Sequence, residues 1–250
     1  MKILITGTTG YIAKRLALHL VEQDHQLICC VRDMERIPDE IEEHPNCTFI
    51  KIDFLEPQED QIPKDIDAAY YLIHSMSSNK DDFKSLEQTC AENFKRLVEK
   101  TNCKQVIYLS GIVNDDSLSK HLKSRLLVEE TLKSDDYALT TFRAGIIVGS
   151  GSASFEIIRD IVEKLPVMIT PRWLNTKTQP IAIRNVLAYL CGALLKEPLY
   201  NNSYDIFSFI FDNDVIAAST SPHVPPGNKS NTQDMEQPIG NLVYVCGDFE

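Results

Sequence analysis

Three features of the sequence predict an α/β fold: a doubly wound parallel sheet with helices on both faces. Apolar segments of strand length alternate with amphipathic segments of helix length as far as Leu165. Strands such as HQLICCV and DAAYYLI are apolar on both faces, as strands between two helix layers must be. A glycine-marked turn, GTTG, joins the first strand to the first helix.

The elements follow in order. KILIT reads as a strand, and YIAKRLALHLVEQ as a helix with Ile12, Leu16 and Leu20 one turn apart. HQLICCV is a strand followed by a polar, proline-containing loop. CTFIKI and DAAYYLI are strands flanking an acidic connection. DFKSLEQTCAENFKRLVEK is a long helix, KQVIYLS a strand and SKHLKSRLLVEETLK a helix. YALTTFRAGIIV is a strand and SFEIIRDIVEKL a helix. After Pro166 the rhythm loosens, then a helix is expected around Asn185 to Leu195. This part reads as a small C-terminal substrate lobe over the sheet. From about Asp212 the chain holds four of the twelve prolines and has no apolar period. The division expected is a dinucleotide-binding domain over 1–211 and an irregular or divergent tail over 212–250.

Bulk properties narrow the function classes. The chain has 250 residues and a net charge of −11 at neutral pH, which argues against a nucleic-acid partner. No apolar run approaches the roughly 18 residues of a membrane span, and Met1-Lys2 leads straight into a strand. Seven cysteines without a C-x-x-C pair read as core thiols of a reducing compartment, so a cytoplasmic protein is expected. A small-molecule substrate is the expected partner, and a homo-oligomer is compatible with the sequence.

Gly7-x-x-Gly10-x-x-Ala13 stands after the first strand and opens the first helix, where a Rossmann dinucleotide fold needs it. Gly7 permits the tight turn, Gly10 lets a pyrophosphate approach, and the small Ala13 lets helix and strand pack. Thr8, Thr9, Tyr11 and Ile12 complete the turn and the helix start, whose N–H groups and dipole favour phosphate. The second strand ends Cys30-Val31-Arg32-Asp33. A guanidinium there suits the 2′-phosphate of NADPH, so NADPH is expected over NADH. Asp33 could instead take the ribose role typical of NAD sites, or pair with Arg32. Asp53, after the third strand, reads either as a turn cap or as an acceptor for the adenine amino group, with Phe54 beside the ring. Ile73 and His74, after the fourth strand, are expected along the nicotinamide ribose.

GTTGYIAKRL, HQLICCVRD, IDFLEP and YYLIHSM together resemble the extended and atypical short-chain dehydrogenases/reductases, which include sugar-nucleotide epimerases and NmrA-like regulators. HLKSRLLVE, RAGIIVGSGSASFE and LPVMITPRWLNTKTQPIAIRNV resemble a narrower bacterial group of NAD(P)H-binding, epimerase-like proteins. The likeness spans about residues 1–207 and stops within SYDIFSFIFDNDVIAAST. A truncation, a divergent end or a shifted reading frame would each produce that break.

The resemblance implies a catalytic Tyr-x-x-x-Lys on the helix after the fifth strand. Here His121 takes the Tyr place and Arg125 the Lys place, with Ser110 or Gly111 at the usual Ser. An imidazole can move protons near neutral pH, and Arg125 could hold the cofactor ribose. Arg125 would also disfavour a protonated His121. His121 as a packed or solvated residue is the alternative. The resemblance further places Arg143, Ser152 and Ser154 near nicotinamide and substrate, and Arg172, Trp173, Thr176 and Gln179 in a loop over the substrate side. Two functions follow: an NADPH-dependent oxidoreductase or epimerase-like enzyme acting on a small carbonyl or sugar-type substrate, or a non-catalytic NADPH-binding sensor.

Overall fold

The structure is a computed structural model that describes residues 1–73, 83–112, 120–152, 155–157, 159–160, 180–210 and 216–222. Its strands are β1 (Lys2–Ile5), β2 (Gln26–Val31), β3 (Cys47–Lys51), β4 (Ala68–Tyr71), β5 (Gln105–Gly111), β6 (Ala138–Ala144), β7 (Ile147–Val148), β8 (Ile181–Ala182), β9 (Asn202–Ile210) and β10 (Ile216–Pro222). Its helices are α1 (Tyr11–Glu22), α2 (Asp39–Glu42), α3 (Phe83–Val98), α4 (Lys120–Thr131) and α5 (Ile183–Gly192). An eight-stranded sheet runs β10-β9-β6-β5-β4-β1-β2-β3, with every pairing parallel except β10 on β9. The chain builds β1, β2 and β3 outward, then returns to β4 on the other side of β1. That reversal leaves a crevice beyond the carboxyl ends of β1 and β4.

The two-residue period of the strands divides the core into two layers. Ile3, Ile5, Leu27, Cys29, Ala68 and Tyr70 face α1 and α5, meeting Ala13, Leu16, Ala17 and Leu20 from α1 and Val186 and Leu190 from α5. Leu4, Ile28, Cys30, Ala69, Tyr71 and Tyr108 face the other way, onto Ala91, Phe94, Leu97 and Val98 of α3 and Val128 of α4. Two buried polar side chains of the first layer are hydrogen-bonded across it. Tyr70 donates its hydroxyl to the Leu190 carbonyl (2.8 Å). The Gln105 amide donates to Thr140 Oγ1 and to the Ala193 carbonyl, and accepts from the Leu195 N–H (2.6 Å), tying the end of α5 to the sheet.

The second layer is more polar. Arg143 on β6 donates to both carboxylate oxygens of Glu129 on α4, from Nε (3.1 Å) and Nη2 (2.7 Å). Ser203 of β9 donates to the same carboxylate (2.6 Å), and Ser124 of α4 donates to Glu87 of α3 (2.6 Å). These bonds fix α4 against β6, β9 and α3.

Three expectations change. The segment YALTTFRAGIIV is not one strand: the chain leaves the main sheet at Gly145, and Ile147–Val148 pairs with Ile181–Ala182 in a separate ribbon. The loop after β2 contains a 3₁₀ turn over Met34–Arg36 and the single turn of α2. The stretch from 212 is not irregular throughout. Ile216–Pro222 is an edge strand, antiparallel to β9 from Ile210 to Tyr204. Its sequence, IAASTSP, carries β-branched residues and ends in a proline that an edge strand tolerates. Residues 223–250 and most of the expected lobe, including Arg172, Trp173, Thr176 and Gln179, lie outside the described residues.

The Arg143–Glu129 pair is nearly buried, with side chains 10% and 5% exposed. Removing one partner strands the other charge in the core. Glu129→Ala should therefore cost about 3–5 kcal/mol in chemical denaturation. Glu40→Ala, which breaks the exposed pair with Lys14, should leave the midpoint nearly unchanged.

Candidate functional site

The site begins with the backbone of the β1–α1 turn. Gly7 has φ +67, the left-handed region, and a Cβ there would lie 2.7 Å from the Leu72 carbonyl oxygen. A Cβ on Gly10 would lie 3.0 Å from the Gly7 carbonyl, to which the Gly10 N–H donates (2.8 Å). Gly10 is the N-cap of α1 and brings no side-chain acceptor to the first-turn N–H groups. Thr8 is fully buried and donates to the Ile5 carbonyl (3.1 Å), so it supports the turn from below.

A cleft of about 190 Å³ opens at this turn, lined by Gly7, Thr9 and Gly10, the end of β2 at Cys30-Val31-Arg32, and residues 52–55. Leu72 and Ile73 after β4 and Cys90 of α3 close it. Four strand ends thus converge on one crevice. Of the residues expected from sequence to hold cofactor, Gly7, Thr9, Gly10, Arg32, Asp53, Phe54 and Ile73 line it.

The charged groups at the cleft have separate tasks. Asp33 accepts the Glu35 N–H (3.1 Å) and caps the 3₁₀ turn, and it makes no ion pair with Arg32. Arg32 is exposed, and no described residue holds its guanidinium. Asp53 accepts the Leu55 N–H (3.0 Å) while lining the cleft, so it is a turn cap and a wall residue together. Asn93 of α3 donates to the carbonyls of Phe54 (2.9 Å) and Leu55 (3.2 Å), fixing that wall. The Phe54 ring packs on Phe94 with centroids 5.7 Å apart. Burial pushes the Cys90 thiol up to about 11; Asp53 adds to the shift and Arg32 opposes it. At neutral pH Cys90 is therefore an uncharged wall.

The other expected residues lie elsewhere. Tyr11 packs toward Gly149, where an added Cβ would meet its hydroxyl at 2.6 Å. Arg15 covers the Tyr11 ring (4.0 Å) and donates to the Ser150 carbonyl (3.0 Å), strapping residues 149–152 to the first turns of α1. Ile12 packs against the core. Ser152 donates to the Ile147 carbonyl (2.8 Å). Arg143, expected near nicotinamide, is held inside the sheet–α4 interface by Glu129, because residue 143 of β6 faces α4.

Ser110 is 5% exposed and its hydroxyl has no hydrogen-bond partner; it shares the β5 face of Tyr108, toward α4 rather than the cleft. Arg125 donates to the Leu109 carbonyl at 3.5 Å, at the carboxyl end of β5. His121 lies in α4 four residues earlier, hence on the same helical face, though its side chain, like His74 and Ser154, lies outside the described residues.

Sequence reasoning missed Ile52, Leu55, Leu72 and Cys90. The first three flank expected residues and follow from the strand ends. Cys90 reaches the cleft, and Asn93 the Phe54–Leu55 wall, only through the packing of α3, for which no local motif exists.

Among the described residues no helix is long and apolar enough to cross a membrane, and no cluster of His, Cys, Asp and Glu could hold a metal ion. The six described cysteines are free.

The fold is shared with solved structures of low identity. UDP-glucuronic acid 4-epimerase from Bacillus cereus in complex with NAD is 17% identical, with a TM-score of 0.69 over 88% of this chain and 79% of that one. Yeast methylglyoxal/isovaleraldehyde reductase in complex with NADPH is 14% identical, with a TM-score of 0.68 over the same shares, 88% and 79%. No curated protein matches the sequence. The model of a family described as NAD(P)H-binding matches residues 7–145.

The turn makes a direct prediction. Gly7→Ala forces a Cβ into the Leu72 carbonyl at a positive φ, which should cost at least about 1 kcal/mol of stability. It should also abolish the enhancement of NAD(P)H fluorescence on titration. An alanine variant with native cofactor affinity would contradict the close approach.

More than half of the chain lies within the family match, and the match begins at the glycine of the turn itself. The glycine turn, the reversal of strand order and the cleft are those of a nucleotide-binding Rossmann fold, and the chain belongs to the NAD(P)H-binding family.

Proposed function

We propose that the chain binds NADPH in preference to NADH in this cleft and acts as an oxidoreductase or epimerase-like enzyme on a small carbonyl or sugar-type substrate. The observation that carries the preference is Arg32. Its guanidinium stands at the mouth of the cleft with no partner among the described residues, while the neighbouring carboxylate of Asp33 is spent on capping a turn. A planar guanidinium can take a phosphate through two parallel hydrogen bonds.

When bound, a nicotinamide dinucleotide supplies a hydride donor or acceptor. The chain's own residues would do the rest. The Gly7–Gly10 backbone admits the pyrophosphate, and the uncapped start of α1 offers it N–H groups. Asp53 would meet the adenine edge. Arg125 would hold the ribose at the nicotinamide side, and His121 would give or take the proton at the substrate oxygen. The reductase in complex with NADPH shares the fold and lends the oxidoreductase reading support by likeness alone.

A sensor that binds NADPH without turnover is the second reading. The burial of Ser110, and of every described hydroxyl on that face of β5, favours it.

Calorimetric titration of both dinucleotides tests the preference. Arg32→Ala should weaken NADPH by roughly 10- to 100-fold while leaving NADH nearly unchanged, the worth of a hydrogen bond to a charged group. Equal affinity of the unaltered protein for both would overturn it. Cofactor oxidation across aldehydes, quinones and keto sugars separates enzyme from sensor. With a substrate in hand, His121→Phe should lower turnover about 10²- to 10⁴-fold at unchanged NADPH affinity.

A further inference from the structure

The wall of the cleft that carries Asp53 is gripped from outside by one helix. Residues 53–56 form a tight turn, closed by the Glu56 N–H donating to the Asp53 carbonyl (3.1 Å). Inside it, Asp53 Oδ1 accepts the Leu55 N–H (3.0 Å). The carbonyls of the two central residues, Phe54 and Leu55, take no part in this closure. Both accept from Asn93 Nδ2, at 2.9 and 3.2 Å. An amide nitrogen carries two hydrogens, so one goes to each carbonyl. Among the described residues, Asn93 is the one side chain from outside the turn that is hydrogen-bonded to it.

The neighbours of Asn93 on α3 set its place. Phe94 is fully buried and packs edge-on to Tyr71, with centroids 4.8 Å apart, and against Phe54 at 5.7 Å. Residue 54 is thus held twice, by its ring through Phe94 and by its carbonyl through Asn93. Cys90, one turn earlier on the same helical face as Asn93, lines the cleft. Asp53 stands at one end of the turn, exposed at the cleft wall. A turn held only by its own bonds can pivot about its ends, and a hydrogen bond weakens steeply once its angle falls below about 120°. Two carbonyls fixed to a packed helix remove that pivot.

We propose that Asn93 is a positioning residue for recognition of the base. By holding the 53–56 turn it aims the Asp53 carboxylate across the cleft, where the exocyclic amino group of a purine donates to it. The cleft then selects adenine over a purine with a carbonyl at that position, whose oxygen would face the carboxylate with no proton between them. This rests on the reading of Asp53 given above.

The test uses the full chain and two ligands: NADPH, and reduced nicotinamide hypoxanthine dinucleotide phosphate, in which a carbonyl replaces the adenine amino group. The unaltered protein should prefer NADPH roughly tenfold, the low end for a hydrogen bond to a charged group. Asn93→Leu keeps the size of the side chain and removes both donors. Asn93→Asp keeps its shape and sets oxygens against the two carbonyls. Each should weaken NADPH about tenfold and leave the analogue nearly unchanged, bringing the two affinities within about twofold of each other. The melting temperature should fall by no more than about 2–4 °C, as for one hydrogen bond in a chain of this size. In an Asp53→Ala background, Asn93→Leu should have no further effect on the preference.

Equal weakening of both dinucleotides would mark a purely structural role and overturn the proposal. So would loss of the folded state in both Asn93 variants, or an unchanged preference for NADPH in both. If the unaltered protein binds NADPH and the analogue equally, the reading of Asp53 fails first and the proposal falls with it.

Discussion

The site depends on a clamp between two strands of opposite origin. Thr6, the first residue past β1, donates its N–H to the Tyr70 carbonyl (3.0 Å). Its hydroxyl donates to the same carbonyl (3.1 Å) and accepts the Leu72 N–H (2.9 Å). Three bonds on one fully buried residue hold the ends of β1 and β4 together where strand order reverses. Because β4 is pinned so close, the next residue has no room for a side chain, and the chain must turn away through the left-handed region. Glycine at position 7 follows from Thr6 at position 6. The direction of α1, and with it the aim of its first N–H groups, follows from that turn.

The two core layers answer to different demands. The layer under α1 and α5 is mainly apolar, with Tyr70 and Gln105 hydrogen-bonded within it, and it supplies a large share of the burial on which the fold rests. The layer under α3 and α4 carries Glu87, Ser124, Glu129 and Arg143 in its interior. Buried ion pairs seldom add net stability over apolar packing, because desolvation offsets the Coulomb gain. Their contribution here is register. The bidentate Arg143–Glu129 pair and the Ser203 bond allow α4 one placement along β6 and β9, and α4 is the element that carries His121 and Arg125.

How much of this was legible in the sequence depended on whether a residue's role was local. The turn at Gly7–Gly10, the strand-end residues Arg32, Asp53 and Ile73, and the alternation of elements were all readable, because strand period and loop chemistry are properties of short segments. The residues from α3 were not, since Cys90 reaches the cleft, and Asn93 its Phe54–Leu55 wall, through tertiary packing. Ser110 shows the limit most sharply. A strand sends successive side chains to opposite faces, so choosing between Ser110 and Gly111 required the register of β5, which pairs Ser110 with Arg143 on the α4 side. The edge strand β10 and its neighbour β9 were missed because the resemblance ran out inside β9 and the proline content beyond it suggested irregular chain.

Binding and chemistry thus rest on unequal foundations. The binding half is built from backbone: a glycine conformation, a helix start and the ends of four strands, none of which a single polar substitution would erase. The proposed chemistry, by contrast, would rest on two side chains of α4. An arginine stays charged at any working pH, so Arg125 in the proposed role could hold a ribose but could not pass a proton, and that task would fall to His121 alone.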